Sequence, residues 1–198
     1  MYKAIVIGTS YGGLEALKLI LPKFDKDFPL PVIVVLHIGD HNNDIFINYL
    51  NEECKLIVKE AESNETILPG YIYFAPPNYH LMVEDDFTFS LSTSEKLNFS
   101  RPSIDILFES AAWAYTKSLI GVILTGANSD GANGLKIIKD LGGTTVVQNP
   151  CSALSPAMPR AALKIARPEI RLKLEDIADK LVNLASGNER SNPFLCCN

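Results

Sequence analysis

Three short stretches carry residues whose types and positions can do chemistry. Gly8-Thr9-Ser10-Tyr11-Gly12-Gly13 follows an apolar run and leads straight into a helical pattern, so it reads as a strand–turn–helix carrying G-x-S-x-G. In such an elbow small residues must flank the serine, and the Ser10 hydroxyl is thrust out above the sheet edge, beside the free N–H groups that open the helix. Those donors can hold an oxyanion. The same residues allow a second reading. Gly8-x-Ser10-x-x-Gly13 is one substitution from a dinucleotide-binding turn, and Asp40 lies at a suitable distance for a ribose contact. The turn by itself leaves both open.

The run Val32–Leu36 delivers His37 at its carboxyl end, and neighbouring strands of a parallel sheet bring their carboxyl ends to one crevice, so His37 can reach Ser10. His41 and His80 sit in polar loops and carry less weight. A further run, Leu119–Thr125, ends in the glycine-rich Gly126-Ala127-Asn128-Ser129-Asp130-Gly131, where Asp130 can hold an imidazole in one tautomer. Its alternative is an Asp-Gly turn capping the next helix. A calcium loop is a poor match, because oxygen ligands do not recur at alternate positions and no bidentate Glu follows. Taken together, Ser10, His37 and Asp130 all fall at carboxyl ends of strands, the constellation of a catalytic triad. Their order in the chain matches neither the chymotrypsin, the subtilisin nor the α/β-hydrolase order, which points to a hydrolase of another lineage.

The elements that must position these residues alternate. Strands are expected at Tyr2–Ile7, Val32–Leu36, Tyr71–Ala75, Leu119–Thr125 and Thr144–Gln148, each apolar enough to be buried on both faces. Helices are expected at Leu14–Leu21, at Ile104–Tyr115 from a Ser103 cap, at Leu135–Leu141 ending on Gly142-Gly143, and at Leu174–Leu184. The alternating HLMVEDDFTFSLS within Tyr79–Asn98 reads as a hairpin added to the sheet edge. The fold class is therefore α/β: a predominantly parallel, doubly wound sheet with helices on both faces and an antiparallel edge hairpin. One domain over residues 1–185 is expected, with residues 186–198 as a disordered tail.

The 198 residues include 23 acidic and 18 basic side chains and 47% hydrophobic residues, so the chain can bury a core without staples. No Lys/Arg-rich run supplies a nucleic-acid or anionic-membrane footprint. No segment approaches the roughly 20 apolar residues that span a bilayer. Cys54, Cys151, Cys196 and Cys197 lack metal-ligand spacing and fit a reduced, cytoplasmic setting.

The blocks VIGTSYGGLEAL, VIVVLH, ILPGYIYFAPPNYHLMV, RPSIDILFESAA, GVILTGANSDGANGL and QNPCSALSPAMPRAAL stand in an order that resembles, over nearly the whole chain, the catalytic domain of the CheB chemotaxis protein-glutamate methylesterases. The resemblance implies Ser10 as nucleophile, His37 as base and Asp130 as its orienter, with no organic cofactor and no metal. It implies demethylation of glutamate methyl esters on the cytoplasmic helices of chemoreceptors, with methanol released, and allows deamidation of receptor glutamines. Two positions depart from the pattern the resemblance implies, Tyr11 standing for a small hydroxyl residue and Ala127 for a methionine beside the expected ester pocket: either their volumes offset one another or they change which ester is accepted. Arg101 is either an electrostatic guide for an acidic receptor surface or a structural arginine. Two-domain relatives carry a receiver domain over the crevice. Here the first strand begins at Tyr2, so the crevice is expected to stay accessible and indifferent to phosphodonors. The rival readings are a Rossmann-like dinucleotide-binding domain, which gives His37 and Asp130 no shared task, and a non-catalytic scaffold, which gives the triad none.

Overall fold

The computed structural model describes residues 1–37, 43–97 and 100–187, with the side chains of residues 43 and 44 left out. Asp40, His41, Cys196, Cys197 and the rest of the tail beyond residue 187 lie outside the described residues. In chain order the elements are β1 (Ala4–Thr9), α1 (Gly13–Ile20), β2 (Val32–Leu36), α2 (Asn43–Glu53), β3 (Ile57–Glu60), β4 (Tyr71–Phe74), β5 (His80–Val83), β6 (Phe89–Ser92), α3 (Ile104–Tyr115), β7 (Leu119–Ile123), α4 (Ala132–Asp140), β8 (Thr144–Gln148), α5 (Ala157–Ile165), β9 (Ile170–Leu172) and α6 (Leu174–Ala185). Seven strands form one sheet in the order β3-β4-β2-β1-β7-β8-β9, and every pairing in it is parallel.

Side chains that alternate along β1 divide the core in two. Ile5 and Ile7 join Leu17, Ile20 and Leu181 on the face covered by α1 and α6, while Ala4 and Val6 join Leu107, Phe108 and Leu135 on the face covered by α3 and α4. This double burial explains the unbroken apolar runs of β1, β2 and β7. Each fully buried Leu, Ile or Phe adds about 1.5–3 kcal/mol, which is what holds the strand ends rigid beneath the crevice.

Several expectations shift. β1 runs two residues later than expected, because Tyr2 and Lys3 precede the pairing with β2 while Thr9 still lies opposite Leu36. The hairpin β5–β6 is a separate antiparallel sheet, not an addition to the main sheet's edge. It packs on α3: Leu81, Val83 and Phe89 enter the core with Leu107 and Phe108, and Val83 N–H donates to Ser110 Oγ at 3.1 Å. Four elements were not anticipated. α2 is interspersed with Asn and Glu, β3 and β9 are only 4 and 3 residues long, and α5 follows Pro156 with Pro159 in its first turn. Their formation depends on what packs over them.

Candidate active site

The chain builds β2, β4 and β3 to one side of β1 and β7, β8 and β9 to the other, so the carboxyl end of β1 lies where the winding reverses. Crevices open at such points. The register fixes what meets there. Thr9 lies opposite Leu36 and Gly8 opposite Ile123, so Ser10 and His37 leave adjacent strands at one level. Two backbone bonds extend that register by one step: His37 N–H to Thr9 O at 3.1 Å, and Ser10 N–H to Thr125 O at 3.0 Å.

The turn after Ser10 closes through Gly13 N–H to Ser10 O at 2.7 Å, with Gly12 at φ +81°. An L side chain at position 12 would be strained by that angle and would also lie 2.9 Å from Leu154. The result is the sharp elbow read from the sequence, with α1 beginning directly behind it.

Asp130 is fully buried, and its carboxylate collects donors from one helix end. Oδ1 accepts from Ser103 Oγ at 2.9 Å and from Asp105 N–H at 3.1 Å; Oδ2 accepts from Ile104 N–H at 2.7 Å. Oδ2 also lies 3.1 Å from His37 Nε2, a close electrostatic contact in which the ring N–H is not aimed straight at the oxygen. Burial pushes the Asp130 carboxyl upward, but His37 and the N–H groups of Ile104 and Asp105 outweigh it and hold the group below its ordinary 3.8.

This changes two readings. Ser103 occupies the cap position of α3, but its hydroxyl makes no cap bond to its own helix; Asp130 caps α3 from 26 residues away. Nor does the Asp130 carboxylate cap the helix that follows it. That task falls to Asp105, whose carboxylate accepts from Gly134 N–H at 2.7 Å in the first turn of α4. α3 and α4 therefore hold one another's amino-terminal ends. Burial, with Asp130's charge adding to it, raises the Asp105 carboxyl against the lowering effect of the Gly134 N–H.

Ile104 locks the pair onto β1. A Cβ on Gly8 would come within 2.3 Å of Ile104 Cγ2, and one on Gly131, at φ +90°, within 2.5 Å of the same atom. The site's backbones approach this closely because both residues are glycine.

The structure thus brings His37 and Asp130 into contact and sets Ser10 beside His37, but Ser10 Oγ makes no hydrogen bond among the described residues. Active-site bonds in unliganded structures are often looser than in the substrate complex. Around Ser10, Tyr11 is 64% and Leu154 68% exposed, and Ala127 is exposed too. Arg101 is structural: its Nη1 donates to the Thr93 and Ser94 carbonyls. His80, expected in a polar loop, is instead fully buried at the start of β5 and bonded to Ser103. The signal for it was its place at the head of the alternating HLMV run, on a strand that packs on α3. An open concavity of about 400 Å³ lined by Tyr2, Lys3, Pro31, Ile67, Phe87 and Tyr115 contains none of the three site residues. Among the described residues no three His, Cys, Asp or Glu side chains are grouped to hold a metal, and no helix is long and apolar enough to cross a membrane.

Comparison with known proteins matches residues 5–181 to a family model described as CheB methylesterase. A protein of Leptospira interrogans serogroup Icterohaemorrhagiae serovar copenhageni is 50% identical over 187 residues, covering 94% of this chain and 97% of its own. The protein-glutamate methylesterase/protein-glutamine glutaminase of Clostridium acetobutylicum is 34% identical over 188 residues, covering 95% of this chain but 54% of its own, so the chain spans about half the length of such relatives. The crystal structure of the Thermotoga maritima CheB methylesterase catalytic domain superposes with a TM-score of 0.89 at 34% identity, covering 93% of this chain and 99% of that one.

Proposed function

That the chain belongs to the CheB methylesterase family is the premise from which we propose that Ser10, His37 and Asp130 form a Ser-His-Asp triad that demethylates glutamate methyl esters of chemoreceptors. With Nε2 turned toward Asp130, Nδ1 is the ring nitrogen left to take the Ser10 proton. Ser10 Oγ then attacks the ester carbonyl, and backbone N–H groups of the elbow hold the tetrahedral oxyanion. Collapse expels methoxide, which His37 protonates to methanol, leaving an acyl bond on Ser10. Water, deprotonated by His37, breaks that bond and frees glutamate. The buried Asp130 carboxylate stays ionised and stabilises the imidazolium formed in each half. The same route with ammonia leaving converts receptor glutamine to glutamate.

The observation that carries this reading is the meeting of three strand ends at the winding reversal, with a buried, ionised carboxylate 3.1 Å from the histidine beside the elbow serine. The substrate, on this reading, is the methylated cytoplasmic part of a chemoreceptor, and the chain acts in the cytoplasm. Methanol release from a methylated receptor fragment by the purified protein tests it. Wild-type protein should release methanol, and Ser10→Ala should abolish release without lowering the melting temperature appreciably. Near-normal turnover by Ser10→Ala overturns the triad.

A further inference from the structure

A fully buried imidazole outside the triad needs a reason to be polar, and the hairpin β5–β6 supplies one at its first residue. Every contact of His80 has a fixed sense. Ser103 N–H can only donate, so His80 Nδ1 accepts from it at 3.2 Å; the Glu95 carbonyl can only accept, so Nε2 donates to it at 3.1 Å. Both nitrogens are used, and the ring is fixed as the Nε2–H tautomer. What it grips is the first of three successive residues from which Asp130 takes its donors: Ser103 Oγ, then the N–H groups of Ile104 and Asp105, at 2.9, 2.7 and 3.1 Å. His80, Ser103 and Asp130 are all buried, so no water stands ready to replace a lost partner.

We propose that His80 is a positioning residue, holding Ser103 and the opening of α3 so that the Asp130 carboxylate meets His37 at the right place. An apolar residue would fill the same space and let the hairpin pack, yet it would leave Ser103 N–H buried without an acceptor. The cap residue would then relax away from β5, taking three of the carboxylate's donors with it. The hairpin is in this way part of the catalytic apparatus although it touches none of the reacting atoms. The inference rests on the triad reading.

The test is the rate at which a fluorophosphonate ester modifies Ser10 in the purified full chain, a reaction that forms the Oγ–P bond, expels fluoride and needs His37 to take the serine proton. Its maximal rate and half-saturating concentration are read separately. His80→Leu should lower the maximal rate about ten- to a hundredfold, as expected for a displaced catalytic group, with the half-saturating concentration unchanged. His80→Asn places an amide oxygen near the Nδ1 position and should remain within about threefold of wild type, whereas His80→Gln, whose amide reaches the Nε2 position instead, should fall well below it. In an Asp130→Asn background, His80→Leu should add less than about a twofold loss, because the two act along one path. Equal rates for His80→Leu and wild type, equal rates for His80→Asn and His80→Gln, or a full further loss in the Asp130→Asn background would each overturn the positioning role. Should His80→Leu fail to fold, the Asn/Gln pair decides. A wild-type chain that the reagent does not modify at Ser10 overturns the triad and this inference together, whereas normal wild-type labelling with indifferent His80 variants overturns the inference alone.

Discussion

Tyr11 follows Ser10 and is 64% exposed, and Leu154, which packs against Gly12 of the same turn, is 68% exposed. On the proposed function, these exposed apolar side chains flank the proposed nucleophile and offer an approaching receptor helix a surface to bury. Tyr11→Ala should therefore raise KM for methylated receptor several-fold while kcat and melting temperature change little, since 64% of the residue is exposed and its loss opens no core cavity. A fall in kcat with constant KM would show instead that the ring acts on the reacting atoms. At this scale the sequence was informative about residue types and poor about partners. Ser10 and His37 were legible because β-branched runs place the next residue at a strand's carboxyl end. His80 was not, because its burial depends on a hairpin folding onto a helix that begins more than 20 residues later.

Among the elements, the reciprocal capping of α3 and α4 puts two carboxylates of opposite tendency side by side. Asp130 is held below 3.8, so it adds stability above that pH and loses it as pH falls through the lower folded value; Asp105 is raised, so its ionisation weakens the fold as pH rises past 3.8. In urea unfolding, the stability gap between wild type and Asp130→Asn should be full near pH 6 and close as pH drops below about 4. Over the same interval Asp105→Asn should gain on wild type as pH rises. Gaps that move in the same direction for both variants would refute the assignment of the two roles. None of this was readable in the chain, where Asp130-Gly131 looks like a cap for its own helix; only the folded pair shows that each acid serves the other's amino terminus.

For the molecule as a whole, the doubly wound sheet was legible because alternating apolar runs and helical patterns dictate it, and the winding reversal at β1 then selects the crevice. What stayed hidden was the tolerance of the joints, which only the distances reveal. Ile104 fills the gap between Gly8 and Gly131, tying β1, α3 and the loop before α4 into one joint. Gly8→Ala should cost about 1–3 kcal/mol by overpacking and Ile104→Ala about 2–5 kcal/mol by leaving a cavity. The double variant should cost less than their sum, with a coupling of about 0.5–3 kcal/mol in urea unfolding. Strict additivity would mean the contact is slack. If the coupling holds, positions 8 and 104 cannot drift separately: a methyl gained at Gly8 survives only in a lineage that has already trimmed the isoleucine, whereas one at Gly131 stays strained by its φ of +90° even then. Suppressor screens for restored stability on a Gly8→Ala protein should then return second-site changes at position 104, in the opening residue of a helix nearly a hundred residues away, more readily than changes beside Ser10 itself.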